Sequence, residues 1–291
     1  MSTVYLNGEY LPGGEAKISV DDRGFLFADG VYEVASFYEG VPFYMDRHLA
    51  RLRRGLAWMR IDFDVEVLED VTRQLLARNA VDAAPTSLVY YQVTRGVAPR
   101  SHPFPKEPVP PTVYAFAKAW QRPTAQEWER GFKAVTVPDR RWARVDIKSI
   151  ALLPNVMAYQ AAVDAGATDA VQVRDGIALE GAHNNFFAVL DGTVVTHPAT
   201  NVILPGITRG VVLELARENG IPVEERPIHV EELSGADELF FTGTTSEVRP
   251  TVELDGKPVG DGTVGPVVRT LALAYDKRVE KVKEAARAGS A

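Results

Sequence analysis

The sequence predicts two α+β domains meeting near residue 120, and three observations lead there. Segments such as VYLNGEYLP and NFFAVL are short and strand-like, whereas HLARLRRGLAWM spaces its apolar residues for a helix. Strands and helices are mixed along the chain, without an internal repeat or a low-complexity segment. The proline-flanked stretch AWQRPTA, residues 119 to 125, is the best linker candidate. A chain of 291 residues is long enough for one or two cores.

Each element has its own local reason. VYLNGEYLP turns at Asn7-Gly8, a pair that tolerates the left-handed backbone of a tight hairpin. VYEVASFYEGVPFYM repeats the pattern at Glu39-Gly40. A helix is expected next, with Asp46 as N-cap and Leu49, Leu52, Leu56 and Met59 as its apolar stripe. A second helix covers about 65 to 79, followed by strands SLVYYQVTR and TVYAFAKAW. Past the linker come a helix after Asn155, strands TDAVQV and NFFAVL, and a helix from Thr208 to Asn219. Strand DELFFTG and a closing helix from about 265 to 288 complete the chain.

Composition excludes several functions. A net charge of −7 and a pI near 5.4 argue against binding a nucleic-acid backbone. Without cysteine there are no disulfides or thiolate metal sites, which suits a reducing cytoplasm. The start, MSTVYLNGEYLPGG, lacks the apolar run of a signal peptide. No stretch approaches the roughly 18 to 20 apolar residues of a membrane span. His48, His197 and His229 lack metal-ligand spacing; His48 reads as a helix-face residue near Arg51 and the other two as structural. The expectation is a cytoplasmic protein that binds no metal, nucleic acid or membrane.

Chemistry centres on Lys148, in RRWARVDIKSIALLPNVMAYQAA, where a basic, aromatic segment gives way to an apolar one. Alone, it reads most simply as a half-exposed lysine laying its stem along apolar surface. The alternative is a Schiff-base lysine, whose amine attacks carbonyls. Three stretches bear on the choice. LPGITRG, residues 204 to 210, turns into a helix at Ile207-Thr208, and a helix start offers free N–H groups to an anion. FFTGTTSEVRP, residues 240 to 250, places a glycine and three hydroxyl residues after an apolar strand, a second candidate phosphate cradle. LEGAHNNFFAVL puts Glu180 at a strand end, where a carboxylate is either a solvated turn residue or the partner of a protonated ring nitrogen.

Taken in order, DRGFLFADGVYEV, HLARL, DIKSIALLPNV, EGAHNNFF, LPGITRG and GTTSEV resemble one family, the fold-type IV pyridoxal-phosphate enzymes. These include branched-chain aminotransferases, D-amino acid transaminases and aminodeoxychorismate lyases, and the resemblance covers nearly the whole chain. It implies a small α/β sandwich N-domain, residues 1–120, carrying the substrate loop. It also implies a larger, barrel-like, cofactor-binding C-domain, residues 121–291, and a homodimer working by a ping-pong mechanism. Lys148 would hold pyridoxal 5′-phosphate as a Schiff base and then move the proton at the substrate α-carbon. Glu180 would keep the pyridine nitrogen protonated, Asn185 would reach the phenolic oxygen, and Leu204 would pack on one ring face. Arg51, Ile207, Thr208, Gly243 and Thr244 would hold the phosphate.

Arg100-Ser101-His102, in the proline-rich loop QVTRGVAPRSHPFP, resembles the carboxylate trap of D-amino acid transaminases, completed by Tyr32. That implies transamination between D-amino acids, such as D-alanine and D-glutamate, and 2-oxo acids. A branched-chain L-amino acid or (R)-amine transaminase, an aminodeoxychorismate lyase and a non-catalytic cofactor-binding protein are the other readings. Three positions depart from the pattern. His183 and Asn184 stand where serine or glycine is usual, and Ser36 where a lysine is frequent.

Overall fold

In the computed structural model, which describes residues 2–289, Asn7 and Gly8 take φ of 50° and 98°. They turn β1 (Thr3–Leu6) back onto β2 (Glu9–Pro12). Asp22 caps the short helix α1 (Arg23–Phe27), its carboxylate accepting from Gly24 N at 2.8 Å. Glu39 and Gly40, with φ of 50° and 77°, form the second hairpin turn, between β3 (Gly30–Tyr38) and β4 (Val41–Pro42). Helices α2 (Met45–Met59) and α3 (Val67–Arg78) follow, then β5 (Thr86–Thr94) and β6 (Thr112–Ala119).

These strands form one antiparallel sheet in the order β2-β1-β6-β5-β3-β4. Leu49, Leu52 and Leu56 of α2 join Leu68, Val71 and Leu75 of α3 in a core with Ala35, Phe37, Val89 and Tyr91 of the sheet. The result is a two-layer α/β sandwich. Asp46 is not the N-cap of α2. The link from β4 is so short that Tyr44 turns the chain at φ 54°, and the helix has already begun at Met45. Asp46 lies inside the first turn, where its charge faces the positive end of the helix dipole.

The chain divides after Gln121, and Ile147–Ala151 returns to the first unit. The second unit contains α4 (Ala125–Arg130), β7 (Phe132–Pro138), α5 (Leu153–Asp164), β8 (Asp169–Arg174), β9 (Ile177–Glu180), β10 (Asn185–Leu190) and β11 (Thr193–Thr196). It continues with α6 (Ile207–Glu218), β12 (Val223–Glu225), β13 (Ile228–His229), β14 (Glu238–Gly243), β15 (Glu247–Leu254), β16 (Lys257–Pro258) and α7 (Pro266–Gly289). The helix expected after Asn155 starts at Leu153, because Pro154 fits a first turn, where no N–H is needed.

Strands β10, β14, β15, β7, β8 and β9 pair in that order, and the pairing of Asn185 with Glu180 closes the ring into a barrel. Its interior holds Phe186, Ala188, Leu239 and Phe241. The alternate residues Phe187 and Phe240 stack at 4.7 Å on the opposite face. Both are fully buried, and helix α6 packs on β14 and α7 on β14 and β15. Burial on both faces explains why FFAVL, residues 186–190, and LFF, residues 239–241, are unbroken apolar runs instead of alternating. Among the described residues, no helix is long and apolar enough to cross a membrane.

Candidate active site

In the first unit, Lys148 lies at the centre of a tight turn, Ser149 N donating across it to Ile147 O at 2.7 Å, held against the start of β3. Its carbonyl accepts from Tyr32 N at 3.0 Å, Ser149 bridges Val31, and Ile150 N donates to Gly30 O at 3.1 Å. Ile147 is buried in the core under α2 and α3. The half-buried Lys148 Nζ sits 4.3 Å from the centre of the Tyr32 ring, which itself stacks on Tyr90.

Next to Tyr32, Glu33 points the other way and is fully buried. Its carboxylate takes both ends of the Arg51 fork, at 2.9 and 2.7 Å, and lies 3.0 Å from His48 Nδ1. Burial alone would raise the Glu33 pKa, but the Arg51 charge overrides it and holds the carboxyl well below the usual range. Burial is also the main influence on His48 and pushes its pKa down, with Arg51 and Lys148 adding to the effect and Glu33 opposing it. Burial thus favours the neutral imidazole of His48, which lies on α2 beside Arg51 and shares Glu33 with it. Arg51 is likewise buried and fixed in direction. The sequence conceals this triad, because a charged residue on an amphipathic helix ordinarily faces water.

Arg100 and His102 are exposed and share one support, the ring of Phe27 on α1. The Arg100 guanidinium lies 5.3 Å from its centre and the His102 ring 5.6 Å. Among the described residues, no hydrogen bond or ring contact joins either of them to Tyr32.

The second unit builds its own polar centre around Glu180, at the end of β9. Glu180 Oε2 accepts from Asn185 Nδ2 at 2.9 Å and from Leu204 N at 3.0 Å, and Oε1 accepts from Arg141. Asn185 Nδ2 also donates to Leu204 O at 2.8 Å. Arg141 is buried, and its Nε is 2.8 Å from Asp139, which Arg174 also contacts. Burial by itself would lower the Arg141 pKa, but Glu180 and Asp139 reverse this and raise it. No sequence pattern singles out Arg141 and Asp139. RRWARVDIK looks merely basic, and Glu180 follows many residues later.

Asn185 Oδ1 lies 2.0 Å from where a Cβ on residue 206 would fall, so Gly206 is required there. Gly206 caps α6 without a side-chain acceptor, which leaves the N–H groups of Ile207 and the buried Thr208 in a first turn that has no intrahelical partners. Thr244, Thr245 and Ser246 form the turn between β14, which ends at Gly243, and β15. Asn184 is buried; its Nδ2 donates to Asp169 and lies 3.4 Å from Ser246 Oγ. It thus ties the loop after Glu180 to the hydroxyl turn. His183 instead faces outward, edge-on to Tyr159 at 5.2 Å, and Ser36 is buried within β3.

The profile of the amino-transferase class IV family matches residues 30–254. The chain belongs to the class IV aminotransferase family. It is 44% identical to D-alanine aminotransferase of Staphylococcus haemolyticus over 282 residues, 96% of this chain and 99% of that one. It is 39% identical to D-alanine aminotransferase of Bacillus licheniformis, covering 95% and 96% of the two chains. Among solved structures, the branched-chain amino acid aminotransferase of Escherichia coli has a TM-score of 0.87 at 27% identity, over 95% of this chain and 94% of that one. A second branched-chain amino acid aminotransferase, solved with pyridoxamine 5′-phosphate, has a TM-score of 0.86 at 28% identity, over 96% and 94%.

Class IV aminotransferases use pyridoxal phosphate. The donor sets of this class IV aminotransferase suit it. An uncapped helix start beside a glycine-hydroxyl turn matches a phosphate, and a carboxylate fixed by Asn185, Leu204 and Arg141 matches a protonated ring nitrogen.

Proposed function

We propose that this class IV aminotransferase moves amino groups between D-amino acids, D-alanine and D-glutamate among them, and 2-oxo acids such as pyruvate and 2-oxoglutarate. The observation that carries this reading is the Arg100-Ser101-His102 loop, with a guanidinium and an imidazole exposed over one aromatic ring. An arginine fork recognises a carboxylate by two parallel hydrogen bonds, which an amine substrate cannot use. The relatives named D-alanine aminotransferase, at 39% and 44% identity over nearly the whole chain, favour it over the branched-chain enzymes at 27% and 28%.

When bound, pyridoxal phosphate supplies a carbonyl carbon for the amino group and a ring that withdraws electrons. Lys148 Nζ would hold that carbon and would take and return the proton at the substrate α-carbon. Glu180 would keep a proton on the ring nitrogen. Asn185, its amide nitrogen already serving Glu180 and Leu204, acts by holding the glutamate in place. Ile207, Thr208, Gly243 and Thr244 would hold the phosphate, Arg51 would supply positive charge toward it, and Leu204 would pack against the ring. Arg100, His102 and Tyr32 receive the substrate carboxylate.

Arg100→Ala is expected to raise the Michaelis constant for D-alanine and D-glutamate strongly and to leave cofactor affinity nearly unchanged. Losing a desolvated charge-assisted contact costs about 2 to 5 kcal/mol, roughly tens- to thousands-fold in affinity. The measurement is the specificity constant for D-alanine and for (R)-1-phenylethylamine, in wild type and variant. Equal losses for both would reduce Arg100 to a structural role. L-alanine outperforming D-alanine in wild type would overturn the handedness.

A homodimer belongs to the same reading. Leu153, Val156, Met157, Tyr159 and Val163 are all exposed on α5, Leu153 by 71% and Met157 by 61%. So much apolar surface on one helix suits a self-complementary interface with a second copy. Sedimentation should give a dimer, and Val156→Glu with Met157→Glu should shift it toward monomer; a monomeric wild type would remove this part of the reading.

A further inference from the structure

The connection between β5 and β6, residues 95–111, is long and irregular, and it carries Arg100 and His102. Loops of this length need an explicit device to hold one shape. The device lies underneath, on α1. Arg23 is 3% exposed and bonds Asp29 through Nε at 2.8 Å. Its remaining nitrogens turn toward the loop: Nη1 donates to Ser101 O at 2.6 Å and Pro103 O at 3.4 Å, and Nη2 to His102 O at 3.4 Å. Three successive carbonyls thus converge on one guanidinium. One helical turn later, Phe27 packs beneath Arg23 at 4.8 Å and carries both Arg100 and His102.

Helix α1 is itself pinned to the base of the loop. Arg23 N donates to Gly96 O at 2.9 Å, Ala98 N donates to Asp21 O at 3.3 Å, and Asp22 accepts from Thr94 Oγ1 at 3.1 Å. Asp29 is shared with Arg95, which binds it at 2.7 and 3.0 Å and packs its guanidinium 3.6 Å from the centre of the Phe104 ring. Arg23 therefore holds one limb of the loop and Arg95 the other, from a common carboxylate.

We propose that Arg23 is a positioning residue for substrate selection: by gathering the carbonyls of Ser101, His102 and Pro103 it fixes the curl that aims Arg100 and His102 at a substrate carboxylate. This rests on the reading of those two residues as carboxylate ligands. The role needs arginine's fork, because a single ammonium cannot serve Asp29 and three carbonyls at their different angles. Losing Arg23 strands no buried charge, since Asp29 keeps Arg95, and the freed carbonyls belong to exposed residues that water reaches.

The test compares Arg23→Met, Arg23→Lys and Arg100→Ala in the loaded enzyme, using aminooxyacetate and O-methylhydroxylamine as capture probes with and without a carboxylate. Arg23→Met is expected to slow capture of aminooxyacetate by about 10- to 100-fold, the usual consequence of a misplaced binding group, and to raise the D-alanine KM more than it lowers kcat. Capture of O-methylhydroxylamine should change little, Arg23→Lys should fall between, and trypsin should cut the 97–109 loop faster in Arg23→Met. An Arg100→Ala defect confined to carboxylate probes, with Arg23→Met and Arg23→Lys both at wild-type selectivity, would overturn the positioning role and leave the carboxylate reading standing. No selectivity defect in Arg100→Ala would overturn both. Equal loss with the two probes in the Arg23 variants would show an effect on the fold alone, and would also overturn the proposal.

Discussion

Lys148→Ala is expected to lose turnover by about 10³-fold or more, while the protein stays folded and still binds pyridoxal phosphate without a covalent link. Two facts separate chemistry from stability at this position. The bonds that hold the segment to β3 run through the backbone of Lys148, Ser149 and Ile150, which alanine retains. The side chain's one ring contact is with Tyr32, worth about 0.5 to 1 kcal/mol. A melting temperature within a few degrees of wild type should therefore accompany an inactive enzyme. Wild type should be yellow, and borohydride should lock the cofactor onto Lys148 Nζ, read as a mass increase on the peptide spanning that residue. A cofactor adduct on any other lysine would refute the assignment, whatever the activity of the variant.

How far the sequence reveals this arrangement depends on whether the cause is local. Asn7-Gly8 and Glu39-Gly40 specify their turns alone, because few residues tolerate positive φ. Strands β10 and β14 announce themselves by dense apolar runs. β7 does not, since FKAVTVP gains its place by parallel pairing with β15, more than a hundred residues later in the chain. The same limit applies to side chains. Lys148, Glu180 and the two candidate anion turns sit within short recognisable stretches. Glu33, Arg141 and Arg23 are buried charges, and His48 a buried imidazole, each with a partner elsewhere in the sequence. A charge with a distant partner is indistinguishable by composition from a solvated one. Asp46 illustrates the converse, where a good local cap lost to a tight connection.

Glu180→Gln is expected to keep the cofactor bound and to slow removal of the substrate α-proton by about 10²- to 10³-fold, the range seen when one preorganised electrostatic group is lost. Glutamine is nearly the same shape, and its carbonyl oxygen can still accept from Asn185 Nδ2 and Leu204 N, now at 2.9 and 3.0 Å. Its amide nitrogen would then face Arg141, donor against donor. Arg141 keeps Asp139, whose Oδ1 is 2.8 Å from its Nε, so the guanidinium is not left without a counter-charge. The stability loss should therefore stay near about 1 to 3 kcal/mol, that of one unmade buried hydrogen bond. The catalytic loss has a different origin. A carboxylate favours a positive ring nitrogen and a neutral amide does not, so the ring would shed its proton and withdraw electrons less strongly. Arg141 sharpens the contrast, because with Glu180 neutralised its charge would act on the ring with less compensation. Single-turnover mixing of the loaded variant with D-alanine, followed by absorbance, isolates this step from product release. A rate near that of wild type would mean that Glu180 serves only to seat the ring, and that the proton on the nitrogen is held by something else.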